Sequence, residues 1–87
     1  MNEEIRMIVR KQLLRKLIKQ RRWLHKHTSY DNLPKGFPSH LGKEVKKVAD
    51  ELIKGGILLK HPTSYGMEVS LNPSKKKEIE EIVFSES

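Results

Sequence analysis

Apolar residues recur at helical spacing in three stretches of this chain and alternate in a fourth, and these stretches predict its elements. The clearest runs from Ser39 to Gly56, where Leu41, Val45, Val48 with Ala49, Leu52 and Ile53 return every three or four residues. That spacing predicts an amphipathic helix over about 39–54, with Ser39 as its N-cap and Gly55-Gly56 as its stop. The opposite face carries His40, Lys43, Lys46, Lys47, Asp50 and Lys54. Upstream, Ile5, Ile8, Val9, Leu13, Leu17 and Leu24, widened by Leu14, Ile18 and Trp23, predict a helix over about 3–26. No Gly or Pro interrupts it, and Asn2, Glu3 and Glu4 suit the positive end of its dipole.

Between these helices, Thr28 or Ser29 can cap a short helix over about 29–34, and Pro34-Lys35-Gly36-Phe37-Pro38 then forces a turn. Leu33 and Phe37 are expected to bury against Leu41 and Val45. Downstream, Ile57 and Leu59, then Met67, Val69 and Leu71, alternate on either side of a turn-forming stretch, Pro62 to Gly66, which predicts a β-hairpin over about 57–71. Asn72 as N-cap and Pro73 at the first position open a last helix over about 73–84, with Ile79, Ile82, Val83 and Phe84 apolar; the tail Ser85-Glu86-Ser87 is expected to fray. The whole reads as one domain over residues 1–87, α+β and mainly α.

Charge changes this picture more than composition does. The 18 Lys and Arg against 11 Asp and Glu leave a formal charge of +7, so polyanions are the expected class of partner. Residues 1–54 hold 14 basic and 6 acidic residues, whereas 55–87 hold 4 and 5, so the basic surface belongs to the first two thirds. Nine basic residues lie between Arg6 and Lys26 with no acidic one among them. An ordinary solvated helix mixes signs to gain i,i+4 pairs, and this one forgoes them. Three uses compete for that stripe: phosphate contacts flanking a DNA site, an RNA partner bound by shape and charge, and an acidic protein surface. Trp23 within it is expected to be a core residue rather than a stacking platform.

Other chemistries find little support. Without cysteine there is no disulfide, thiol nucleophile or thiolate metal site. His25-x-His27 lacks both i,i+4 spacing and clustered carboxylates, so no metal is expected. No nucleophile elbow, phosphate-cradling glycine loop or paired carboxylates occur, so neither enzymatic activity nor a cofactor is expected. No apolar run reaches a membrane span, and a cytoplasmic protein is the default.

The strings HTSYDNLPKGFPSHLGKEVKKVADELIKGGIL and HPTSYGMEVSLNP, in the order helix, short helix, turn, longer helix, hairpin and terminal helix, resemble the winged helix-turn-helix superfamily over nearly the full chain. More narrowly they look like small archaeal single-domain, MarR-like winged-helix proteins. The resemblance implies a three-helix core, a two-stranded wing and a C-terminal helix, with the recognition helix at Ser39 to Lys54 and the wing at Leu59 to Met67. Neither element contains an arginine, the residue best suited to guanine, which moves the expectation towards lysine–phosphate contacts.

On that basis the expected function is DNA binding by a transcriptional regulator or an architectural, nucleoid-associated protein. His40, Lys43 and Lys47 are placed for the groove, Ser39 and Lys46 nearer the backbone, and Lys60, His61, Thr63, Ser64 and Tyr65 on the wing. Arg15, Lys19, Arg22, Lys26 and Lys35 are further candidates for phosphate contact. Double-stranded DNA is the first expected partner; RNA or an acidic protein surface, as for a winged-helix interaction module, are the alternatives. Helix 1 and the C-terminal helix are candidate homodimer surfaces.

Overall fold

The computed structural model describes residues 3–85. Three α-helices pack with a three-stranded antiparallel sheet, an α+β arrangement that is mainly helical: α1 (Glu3–Lys19), β1 (Thr28–Ser29), α2 (Gly42–Lys54), β2 (Leu58–Thr63), β3 (Gly66–Leu71) and α3 (Lys76–Phe84). β3 lies in the middle, with β1 on one side and β2 on the other. Single 3-10 turns at Tyr30–Asn32, Ser39–Leu41 and Pro73–Lys75 complete the order.

The first helix ends earlier than its apolar spacing predicts, at Lys19 rather than near Lys26. Arg21 takes φ 55°, and the amides of Arg21 and Arg22 donate to the carbonyls of Ile18 and Leu17, both at 2.9 Å. This is the two-bond closure that usually has glycine at its left-handed position. What holds arginine there is the next segment: Leu71 N–H donates to Arg22 O, and Leu24 N–H donates to Leu71 O, so the chain turns to lie beside β3. Sheet pairing therefore overrides helix continuation. Capping by Asn2 and fraying at Glu86 and Ser87 lie outside the described residues.

The short helix predicted over 29–34 is reduced to a single 3-10 turn, Tyr30–Asn32. Thr28 and Ser29 pair with Val69 and Glu68, adding a third strand to the expected two-stranded hairpin, and only one 3-10 turn follows. Ser29 stands at its N-cap position with no side-chain capping bond. The chain then advances by Lys35 N–H to Asn32 O and Phe37 N–H to Pro34 O, with Gly36 at φ 90°, as the turn chemistry predicts.

The second long helix spans the predicted stretch but starts differently. Ser39 is not its N-cap: it lies inside a 3-10 turn after Pro38, and Leu41 takes the cap position of α2 without a side-chain bond. Its end agrees with the prediction, Gly56 at φ 80° closing the helix through Gly56 N–H to Ile53 O and Ile57 N–H to Leu52 O.

The hairpin runs in register from Leu58 opposite Leu71 to Thr63 opposite Gly66, leaving Ser64 and Tyr65 as its loop. Pro62 and Thr63, expected in the tip, are strand residues. Asn72 caps the turn at Pro73 as predicted, its Oδ1 accepting from Ser74 N–H at 3.1 Å.

One core joins all of these. It is built from Val9, Leu13, Leu14 and Leu17 of α1, Val45, Val48, Ala49 and Leu52 of α2, Ile79 and Val83 of α3, together with Leu33, Ile57, Leu58, Val69 and Leu71. Trp23, Phe37 and Leu41 pack against its edge. The predicted apolar stripe is cut short at both ends, because Ile5, Ile8 and Leu24 are exposed, as is Phe84 in α3. Leu24 lies beyond the point where the helix stops.

Candidate nucleic-acid interface

On α2, the side chains of Lys43, Lys47 and Lys54 are exposed, as are Ser39 and His40 in the preceding turn. At 100° per residue the three lysines fall within about 40° of arc, so they form one strip along the helix. Asp50 lies in the same strip, but its carboxylate accepts a 2.8 Å hydrogen bond from Tyr30 Oη. Burial, with Asp50 next in order, pushes the Tyr30 hydroxyl up to about 12, so it stays a donor throughout the physiological range. Glu51 pairs with Arg6 of α1 at 3.5 Å, and Glu44 is half-buried. The acidic residues that temper this helix in the sequence are thus mostly engaged within the protein, whereas Lys43, Lys47 and Lys54 have no hydrogen bond or ion pair among the described residues.

Lys46 differs from its neighbours. It pairs with Asp31 at 2.9 Å and lies 5.4 Å from the centre of the Tyr30 ring, so it ties α2 to the 3-10 turn Tyr30–Asn32.

The wing residues also separate into two groups. Lys60, Ser64 and Tyr65 are exposed, and Tyr65 at 99% exposure is an aromatic ring standing free at the hairpin tip. Thr63 is exposed yet committed to its turn, donating to Gly66 O at 2.6 Å and accepting from Tyr65 N–H. His61 turns inward. Its ring stacks on His27 with centroids 4.4 Å apart, and its Nε2 lies 2.8 Å from the Oγ of fully buried Ser70. Ser70 gives its single proton to Leu24 O, so it accepts from His61, which places the imidazole proton on Nε2. His27 Nδ1 in turn lies 2.5 Å from Glu68 Oε1. Burial, then the neighbouring His27, lowers the His61 pKa below its ordinary value, against a raising effect of Glu68. The cluster fastens the hairpin to the segment before β1. Sequence spacing offered no signal for it, since its members come from three separate segments.

The stripe on the first helix proves to be partly structural. Arg15 donates to Val83 O, Lys11 to Ser85 O, and Arg22 to His27 O and Gln20 Oε1. Lys16 donates to both Leu33 O and Lys35 O, and burial together with the Lys35 charge lowers its pKa. With Arg6 paired to Glu51, five of the nine basic residues hold neighbouring elements, most of them through carbonyl groups. Arg10, Lys19, Arg21 and Lys26 make no such bond among the described residues. The side chain of Lys35, in the turn before α2, is likewise exposed and unbonded.

Among the described residues no group of three or more His, Cys, Asp or Glu is arranged to hold a metal ion. The histidines illustrate why: His27 and His61 stack face to face, with their bonded nitrogens on different partners. No helix among the described residues is long and apolar enough to cross a membrane. No family model matches this sequence, and no curated protein or solved structure matches it.

Proposed function

We propose that this chain is a winged-helix protein that binds double-stranded DNA, laying α2 towards the major groove and the β2–β3 hairpin against the flanking backbone. The observation that carries the reading is the strip of Lys43, Lys47 and Lys54, left without internal partners while Asp50 and Glu51 are engaged elsewhere. The order α1, β1, α2, β2, β3 around one core is compatible with a winged-helix arrangement, though the helix before the reading helix is reduced to a single turn. A helix with its side chains is about 10–12 Å wide and fits a groove of about 12 Å. His40 and the exposed lysines then approach base edges and phosphates, and Tyr65 with Lys60 reaches the neighbouring groove or backbone.

Affinity in this reading comes mainly from counterion release. About five neutralised phosphates give a slope of about −4 to −5 in log K against log salt. Fluorescence anisotropy with a random duplex, a single strand and a structured RNA, each at low and near-physiological salt, tests it. Duplex binding that persists at the higher salt and is lost in Lys43→Ala with Lys47→Ala supports the reading. Preference for structured RNA, or a salt-independent interaction, overturns it.

A further inference from the structure

An open cleft of about 450 Å³ lies between the C-terminal end of α1 and the turn that leads to α2. Lys16, Arg22 and Lys35 line it together with the polar side chains of Gln20, Thr28 and Asn32, and no carboxylate does. Asp31, the acidic residue of the same turn, is held away by Lys46. Three cationic residues therefore line one cleft, against only about half a negative charge from the helix end.

Two of the three cations are also held in place by the protein. Lys16 Nζ is fixed by the carbonyls of Leu33 at 3.1 Å and Lys35 at 2.6 Å, which uses two of its three N–H groups and leaves one. Arg22 is oriented by Gln20 Oε1 and His27 O, both at 3.3 Å, through Nε and one terminal nitrogen, leaving its other terminal nitrogen without a protein acceptor. The ammonium of Lys35 has no partner among the described residues, and its charge together with burial already lowers the pKa of Lys16. This cleft is lined by no carboxylate, and its cations keep spare N–H donors, those of Lys16 and Arg22 on groups already held in place.

We propose that this cleft is an oxyanion site that takes a phosphate group between Lys35, the free N–H of Lys16 and the outer edge of Arg22. It deepens the nucleic-acid reading by adding a phosphate grip on residues separate from the α2 strip, and it rests on that reading only for the source of the phosphate. A tetrahedral dianion suits the site because its several oxygens accept from ammonium and guanidinium donors at once. The same chemistry is offered by a backbone phosphate of nucleic acid or by a small phosphorylated molecule.

Inorganic phosphate titrated into the full chain, followed by amide ¹H–¹⁵N spectra against sodium chloride at matched ionic strength, tests the site. Saturable shifts at Thr28, Asn32, Lys35 and Gly36, absent with chloride and lost in Lys35→Ala but kept in Lys77→Ala, are expected. Lys35→Ala is the clean variant because the fold uses only backbone groups of Lys35, its N–H to Asn32 O and its carbonyl from Lys16. If a duplex competes with phosphate for these shifts and binds Lys35→Ala several-fold more weakly, the source is nucleic acid. If phosphate binds and the duplex neither competes nor weakens, the site stands with a small phosphorylated ligand. Equal shifts with chloride overturn the site, even where the duplex still binds elsewhere. Phosphate binding without any duplex binding supports the site and overturns the DNA reading instead.

Discussion

Helices α1 and α2 both look basic in the sequence, yet the fold uses their charges in opposite ways. Along the first, Arg6, Lys11, Arg15 and Lys16 are drawn onto carbonyls or a carboxylate outside the helix, and Arg22 just beyond it onto His27 O. Along the second it is the acids that are drawn in, Asp50 by Tyr30 and Glu51 by Arg6, while the lysines of the strip stay free. A count of charges on a helix therefore does not measure the charge it offers to a partner. The helix with more cations contributes much of its excess to holding the fold, and the helix of nearly balanced charge presents the cleaner positive face.

The contrast can be broken most directly on α2. Lys43→Ala with Lys47→Ala is expected to weaken duplex binding about thirtyfold at 0.15 M salt, from a slope of about −0.9 per lost contact. The melting temperature should stay within a degree or so of the parent, because neither side chain has an internal partner. A drop in melting temperature with unchanged affinity would reverse the roles assigned to the two helices.

The converse variant on α1 is Lys16→Met, which keeps the aliphatic stem but leaves the Leu33 and Lys35 carbonyls without their donor. It is expected to cost about 1–2 kcal/mol of stability in urea denaturation. The α2 lysine variant, run alongside, should leave the denaturation midpoint in place.

Arg21→Gly sharpens the comparison from the other side, since Arg21 is a cation with neither a carbonyl to hold nor a φ suited to its side chain. Relief of the left-handed strain, offset by the greater freedom of glycine in the unfolded chain, should raise stability by about 0.5–1 kcal/mol. Thermal melting reads it, and a loss of stability would mean that the Arg21 side chain contributes to the fold.

The smallest effect belongs to His61, the hairpin's counterpart of an inward-drawn side chain. Its pKa is lowered in the fold, so the unfolded chain binds more protons in the window below the ordinary histidine value of about 6.5. Stability from this group is complete above that value and declines as the pH falls through the window. Urea midpoints at pH 7.5 and 5.0 should converge on a smaller difference in His61→Gln than in the parent. An unchanged difference would place the pH dependence in other groups.

Legibility in the sequence followed locality. The end of α2 could be read because Gly55-Gly56 closes the helix with residues that prefer the geometry, and the cap of Asn72 before Pro73 is equally local. The end of α1 could not, because the same two-bond closure is made there by Arg21, and its cause is the distant strand β3. Thr28 and Ser29 read as helix caps but pair with Val69 and Glu68, which no local spacing reveals. At the candidate site, the exposed lysines of α2 followed from its apolar period, since the face opposite Val45, Val48 and Leu52 must be outside. The commitment of Lys16 to Leu33 and Lys35, and the stacking of His27 on His61, depend on folding that brings remote segments together.

The position of β2 has a further consequence. β3 is paired on both sides, while among the described residues β2 has β3 as its only strand neighbour, so the hairpin carries an open flank along Leu58–Thr63. An open flank is a template on which another chain can zip. Here Pro62 has no N–H to offer and Lys60 brings a charge to the same strand, two features that discourage strand addition. The exposed flank of the hairpin is thus a poorer template for a second strand than its length alone would make it.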